Sequence, residues 1–187
     1  ALVSTLFVSY TFNNLPLKDY RPYKEGFNFK DNYQEDFQEV NINENTIFAI
    51  YEGDTDNNVT NFFVDHPAML VSSSYKFDNK IDKKLYRKSN YTIKQTITET
   101  KYEDIKLLLE EAKNDSIDVM HICNWSDMSI WKEIINENEI YYYGDGDIGK
   151  IIIRSDPGLL LFKNGVLIKK WHYNNIPDIE EVQNLLK

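Results

Sequence analysis

The stretch IRSDPGLLLFKNGVLIKKWHY, residues 153–173, decides the architecture of this chain. Pro157-Gly158 punctuates it, and the apolar runs LLLFK and VLIKKWHY flank Asn164-Gly165. An Asn-Gly pair between two such runs predicts a tight hairpin, because both central residues of that turn take positive φ. Pro177 then opens a helix at its first turn. Asp178 and Glu180 favour its positive end, and Ile179, Val182, Leu185 and Leu186 turn toward the sheet.

Working outward, AMLVSSS (68–74) and IDVMHIC (117–123) are short apolar runs that read as buried strands. YEDIKLLLEEAK (102–113) between them is helical, with Ile105, Leu108, Leu109 and Ala112 on one face. Ser126 or Asp127 caps a helix running to about Asn136. Residues 140–143 make a third short strand, and 148–153 a short helix or an extended link. Further back, TIFAIY (46–51) and VTNFFV (59–64) flank the turn formers EGDTDNN, which predicts an N-terminal hairpin over 46–64. Residues 76–101 are polar and show no clear period. This order is that of an α/β fold with a central mixed sheet flanked by helices.

Composition narrows the function classes. With 30 acidic against 21 basic residues among 187, the net charge of −9 and the scattered Lys and Arg argue against nucleic acid as a partner. Cys123 is the single cysteine, so no intrachain disulfide forms. Residues 1–17, ALVSTLFVSYTFNNLPL, carry no charge. They are too short for a membrane span, which needs about 20 residues. The expectation is that 1–13 is the end of a membrane-spanning helix, with Tyr10 and Phe12 at the interface. An internal strand is the other reading. Residues 14–45, broken by Pro16, Pro22 and Gly26, would be a juxtamembrane connector, and 46–187 the folded domain.

Few residues suggest chemistry. His66, His121 and His172 lack zinc spacing, and Asp145 and Asp147 around Gly146 read as a plain turn rather than a calcium loop. No phosphate-binding glycine motif or nucleophile elbow is present, and a hydrolase built on Ser72 to Ser74 with a distant histidine finds no local support. No metal and no cofactor is expected.

The run from Ile153 to Gly165 resembles the end of a thioredoxin fold, where an Ile-Arg-x-x-Pro turn leads into a Leu-Leu-Phe-Lys-x-Gly hairpin and a final helix. The resemblance covers roughly 67–187 and implies a cis Asp156–Pro157 bond. The strand–Trp125-Ser126-Asp127–helix arrangement is similar to the branch holding periplasmic thiol reductases and peroxidase-like proteins. A second resemblance joins two separated stretches. Asn14 to Gly26, NLPLKDYRPYKEG, is similar to the juxtamembrane segment of DoxX-family membrane proteins with a C-terminal thioredoxin-like domain. Arg154 to Gly158 and Lys170-Trp171 match later features of the same proteins.

In that resemblance the redox site falls at the end of AMLVSSS, at Ser72, Ser73, Ser74 and Tyr75, facing Asp156 and Pro157. It contains no sulfur. Thiol–disulfide exchange needs a low-pKa thiolate and a second thiol to resolve the mixed disulfide. Cys123, in an apolar strand, reads as a core thiol. The expectation is therefore a domain that is no thiol–disulfide oxidoreductase, anchored in the inner membrane and facing the periplasm. There it would serve as a protein-interaction or accessory module with partners in the cell envelope. The alternative is a single-thiol redox-assisting protein that uses Cys123.

Overall fold

Alternation along Gly158–Lys163 sorts its side chains onto two faces, and the whole sheet follows that period of two. Leu160 and Phe162 join Met69, Val71, Met120 and Ile122 in one core, whereas Leu159 and Leu161 join Leu70 and Val182 in the other. The computed structural model describes residues 2–21, 23–32, 50–75, 91–124, 141–144 and 148–187.

The strands are β1 (Ile50–Glu52), β2 (Ala68–Ser73), β3 (Asp118–Cys123), β4 (Tyr141–Gly144), β5 (Gly158–Lys163) and β6 (Val166–His172). The helices are α1 (Leu2–Asn13), α2 (Phe29–Asn32), α3 (Thr60–Asp65), α4 (Tyr91–Asn114), α5 (Ile148–Ile152) and α6 (Ile179–Leu186). Among the described residues the strands form one mixed sheet in the order β1-β4-β3-β2-β5-β6. β2 and β3 run parallel in the register Leu70↔Val119, as do β3 and β4. β5 runs antiparallel to β2 and β6 antiparallel to β5. At the hairpin turn Asn164 and Gly165 have φ of 51° and 75°, the pair of positive values such a turn demands. A Cβ on Gly165 would also meet the Val64 carbonyl at 2.6 Å.

α4 packs its Ile105, Leu108, Leu109 and Ala112 face on one side of the sheet beside α6. Trp171 is buried there, and its Nε1 donates to Glu181 on α6 at 3.0 Å. On the opposite side Tyr23, Phe29, Phe63 and Phe162 form an edge-on and stacked aromatic cluster. Segment 25–29 covers the outer edge of β6: Gly26 N donates to Leu167 O at 2.7 Å, Leu167 N to Phe27 O at 2.9 Å, and Phe29 N to Gly165 O at 2.8 Å. An edge strand thus hides its unpaired backbone.

The predicted 46–64 hairpin does not form. Its second arm, 59–64, is instead the helix α3. Thr60, Phe63 and Val64 are its buried residues, a three-and-four spacing that makes a helical face. Asn58 Oδ1 accepts both Thr60 N, at 3.0 Å, and Thr60 Oγ1, at 2.6 Å, which nucleates the turn. Among the described residues β1 pairs with β4 rather than with 59–64, to which it is joined by the bridge Tyr51↔Asn58 and by Ile50 N donating to Thr60 Oγ1 at 2.9 Å. α4 begins at Tyr91, well before the predicted 102. Pro177 precedes the cap of α6 rather than opening its first turn, because Asp178 accepts Glu181 N at 2.8 Å. The capped helix predicted over 126–136 and the Asp145–Asp147 turn lie outside the described residues, as do 33–49.

α1 is helical over 12 residues without a charge, and Leu6, Phe7, Val8 and Phe12 are exposed. No helix among the described residues is long and apolar enough to cross a membrane. The far end of α1 is tied to the domain: Asn174 Nδ2 donates to Asn13 Oδ1 at 3.2 Å and Asn175 Nδ2 to Asn14 Oδ1 at 3.0 Å.

Candidate functional site

The C-terminal ends of β2 and β3 meet the turn before β5. This is the position where open α/β sheets collect ligands. The Asp156–Pro157 bond is cis. Asp156 Oδ1 accepts Ser74 Oγ at 2.6 Å and Tyr75 N at 3.2 Å, so the end of β2 is stitched to the proline turn. Asn124, just past β3, donates its side-chain amide to the Tyr75 carbonyl. Ser155 Oγ donates to Pro157 O and accepts Tyr173 N at 3.0 Å. Gly149 lets α5 close onto this corner, because a Cβ there would sit 2.6 Å from Tyr75 Cβ.

The structure therefore brings Ser74, Tyr75, Asp156 and Pro157 together. Ser73 is fully buried and its Oγ has no hydrogen-bond partner among the described residues. Ser72 points elsewhere: its Oγ lies 2.7 Å from His121 Nδ1, its neighbour across the parallel pair. The His121 ring stacks on Tyr141 at 5.2 Å between centroids. Both Ser72 and His121 are within 2% of complete burial, so no substrate reaches that hydroxyl. Cys123, at the end of β3, is 2% exposed. Lys76 and Phe77, which follow Tyr75, lie outside the described residues.

The positive charges that act on the corner come from residues outside the site expected from the sequence. Burial raises the Tyr75 phenol above its ordinary pKa and Asp156 adds to this, while Arg21, Lys150 and Arg154 oppose it. Burial lowers the Arg21 guanidinium; Asp19 offsets part of this and Arg154 deepens it. Arg21 Nη1 is buried without a hydrogen-bond partner among the described residues. Its position is set by Asp19, whose Oδ1 accepts the Arg21 backbone N–H at 3.1 Å and whose Oδ2 lies 2.8 Å from Lys170 Nζ on β6. Both arginines stood in motifs already visible in the sequence, Asp-Tyr-Arg-Pro and Ile-Arg-Ser-Asp-Pro. Nothing in either motif says that the charge of one would act on the other.

A second concavity, about 630 Å³, lies between α4 and the 173–178 turn. Leu107, Tyr173 and Ile176 line it, with Asp104, Glu111 and Asp178 around them.

A helix-linked parallel pair β2–β3, then antiparallel β5 and β6, then a closing helix, in the spatial order β3-β2-β5-β6, defines a thioredoxin-like domain. β4 and β1 extend its sheet on one side. Among solved structures, the exposed lipoprotein thioredoxin of Streptococcus pneumoniae is similar at 12% identity with a TM-score of 0.42, over 75% of this chain and 96% of that one. The fold assignment rests on the strand order and not on that shallow likeness. No family model matches the chain, and no curated protein matches it.

Proposed function

We propose that this is a thioredoxin-like module without thiol–disulfide activity, held at the periplasmic face of an inner membrane and used for protein contacts. The observation that carries the reading is the sulfur-free corner. Ser74 and Tyr75 are engaged by Asp156 where exchange would need a thiolate, and Cys123 is buried. A serine hydroxyl is far too weak an acid to stand in for that thiolate. Burial of Cys123 also favours this reading over a single-thiol one, because a nucleophile must be reached. α1 supports the membrane part: it is uncharged and has no polar face, unlike a helix that lies on a protein surface. The resemblance of Asn14 to Gly26 to DoxX-family proteins points the same way. The groove beside α4 supports the contact part, its three carboxylates suiting a basic partner segment.

The test is thiol labelling of the native chain against the denatured one, beside a disulfide-reduction assay. Labelling of Cys123 only after denaturation, with no turnover, is the expected outcome. Fast labelling of the native thiol would remove the non-catalytic reading. Fractionation tests the anchor: a chain recovered only as a free monomer would remove the membrane part.

A further inference from the structure

α4 holds an apolar residue outside its packed face. Ile105, Leu108, Leu109 and Ala112 bury against the sheet, whereas Leu107 is 55% exposed. Leu107 lines the concavity of about 630 Å³ between α4 and the 173–178 turn, with Tyr173 and Ile176 contributed by the turn. Sites that take ligands have volumes of about 300–1,000 Å³. Exposed apolar surface rimmed by polar residues marks a place of interaction. The rim here is acidic. Asp104 and Glu111 stand three residues before and four residues after Leu107, so the helical period sets all three along one stripe. The rise of the helix separates the two acidic positions by about 10 Å. Asp178 adds a third carboxylate from the turn, where its Oδ1 accepts Glu181 N. No Lys, Arg or His lines the concavity, and neither Asp104 nor Glu111 has an ion-pair partner among the described residues. Asn174, which also lines it, donates to Asn13, so the groove borders the end of α1.

We propose that this groove docks a basic amphipathic helix of a partner protein, with Lys or Arg one heptad apart and aliphatic side chains between them. The proposal rests on the reading of the chain as a protein-contact module. Cations seven residues apart on a helix are separated by about 10 Å and so match Asp104 and Glu111. The aliphatic residues three and four positions into that heptad share their face and cover Leu107, Tyr173 and Ile176. Charge selects the occupant. Anionic lipid headgroups and nucleic acids are repelled by three carboxylates, and a basic segment is attracted. The rim pairs set encounter and register, and the covered aliphatic area holds the complex.

The probe is a fluorescent peptide of about 15 residues, with Lys one heptad apart and Leu at the third and fourth positions between, long enough to turn helical when bound. It is titrated with the full chain in mild detergent and followed by anisotropy, beside a counterpart carrying Glu for Lys. Saturable binding of the Lys peptide is expected, with the Glu peptide at least about ten-fold weaker because attraction at the rim becomes repulsion. Leu107→Gln should weaken the Lys peptide about five-fold through lost aliphatic cover. Asp104→Asn with Glu111→Gln should weaken it about five-fold at low salt and flatten its salt dependence. All three positions are exposed, so the melting temperature should stay within about 2 °C, which separates lost binding from misfolding. Asp178 is left in place because it caps α6. Equal binding of the two peptides would put the contact on uncharged α1 and overturn the groove, as would Lys-peptide binding that these substitutions leave intact. Self-association of the chain that Leu107→Gln abolishes would give the groove to a second copy and overturn the partner helix. A chain that ignores the Lys peptide yet co-purifies with an envelope protein overturns the groove and keeps the contact reading. One that ignores it and purifies alone overturns both.

Discussion

Replacing Asp19 by Ala strands a buried ammonium. Lys170 projects from β6 with its side chain 4% exposed, and its Nζ is held by Asp19 Oδ2 at 2.8 Å and by the Tyr23 carbonyl. Burial pushes the Lys170 pKa down, and the bond and charge of Asp19 restore only part of it. Breaking a fully buried pair from one side costs about 3–5 kcal/mol. Here the Asp19 side chain is 25% exposed and the Tyr23 carbonyl remains, which reduces the expected loss to about 2–3 kcal/mol. In a chain of this size each kcal/mol moves Tm by about 2–4 °C, so Asp19→Ala should melt about 4–12 °C lower. Lys170→Met removes the charge together with its need for a partner, and should cost no more than about 1 kcal/mol. The double variant should therefore resemble Lys170→Met alone. Urea melts followed by circular dichroism, analysed as a double-mutant cycle, should give a coupling of at least about 1 kcal/mol. Additive losses, or an Asp19→Ala cost below about 0.5 kcal/mol, would refute the strap.

Acid provides a further check on the same pair. Burial raises the Asp19 carboxyl, but hydrogen bonds from Lys170 and the Arg21 amide, with the charges of both residues, outweigh it and hold the pKa below 3.8. A depressed carboxyl stabilises the fold above its ordinary value and loses that contribution as pH falls through its folded value. The stability gap between wild type and Asp19→Asn should thus close as pH drops below 3.8. Gly149→Ala places a methyl group 2.6 Å from Tyr75 Cβ and should cost about 1–3 kcal/mol in a urea melt, with chemical-shift changes centred on Tyr75. Ser72→Ala removes the 2.7 Å contact at His121 Nδ1 and should cost about 1 kcal/mol in a urea melt. Phe7→Asp with Phe12→Asp should abolish retention on vesicles and leave Tm unchanged, because both rings are exposed.

The C-terminal half was legible because its signals are local. Asn164-Gly165 demands positive φ at both residues, and Ile105, Leu108, Leu109 and Ala112 lie on one helical face whatever surrounds them. The N-terminal half misled for the same reason. Val59 to Val64 is rich in β-formers, and only the burial of Thr60, Phe63 and Val64 on one face, beneath Phe29 and Phe162, decides for helix. The β-branched stretch from Thr92 to Thr100 hid the first turns of α4 in a similar way. Ser74, Tyr75 and Asp156 were candidates because the resemblance to a thioredoxin fold implies a site where the end of AMLVSSS meets the proline turn. Arg21 and Arg154 were not. They are 133 positions apart in the sequence, and the ties of the first segment to β6, the Asp19–Lys170 pair among them, are long-range and leave no local signal.

That pair also explains why the N-terminal segment belongs to the site. Segment 25–29 hydrogen-bonds to β6, Asp19 is pinned by Lys170, and Asn13 and Asn14 are tied to Asn174 and Asn175. β6 and the turn that follows it thus hold the segment at three successive points, from the end of α1 to the aromatic cluster. A helix joined to a domain by a slack linker conveys nothing about orientation. One fastened this way fixes the angle between α1 and the sheet, and it fixes the backbone of Arg21 at the same time. Loosening the strap with Asp19→Ala should therefore act in two places at once, freeing α1 relative to the sheet and weakening the pull of the Arg21 charge on the Tyr75 phenol. The Tyr75 phenol, followed through its ring resonances in a pH titration, should then titrate higher in Asp19→Ala even though a negative charge has been removed. A phenol that titrated lower instead, as simple removal of a negative charge would produce, would show that the segment does not position Arg21.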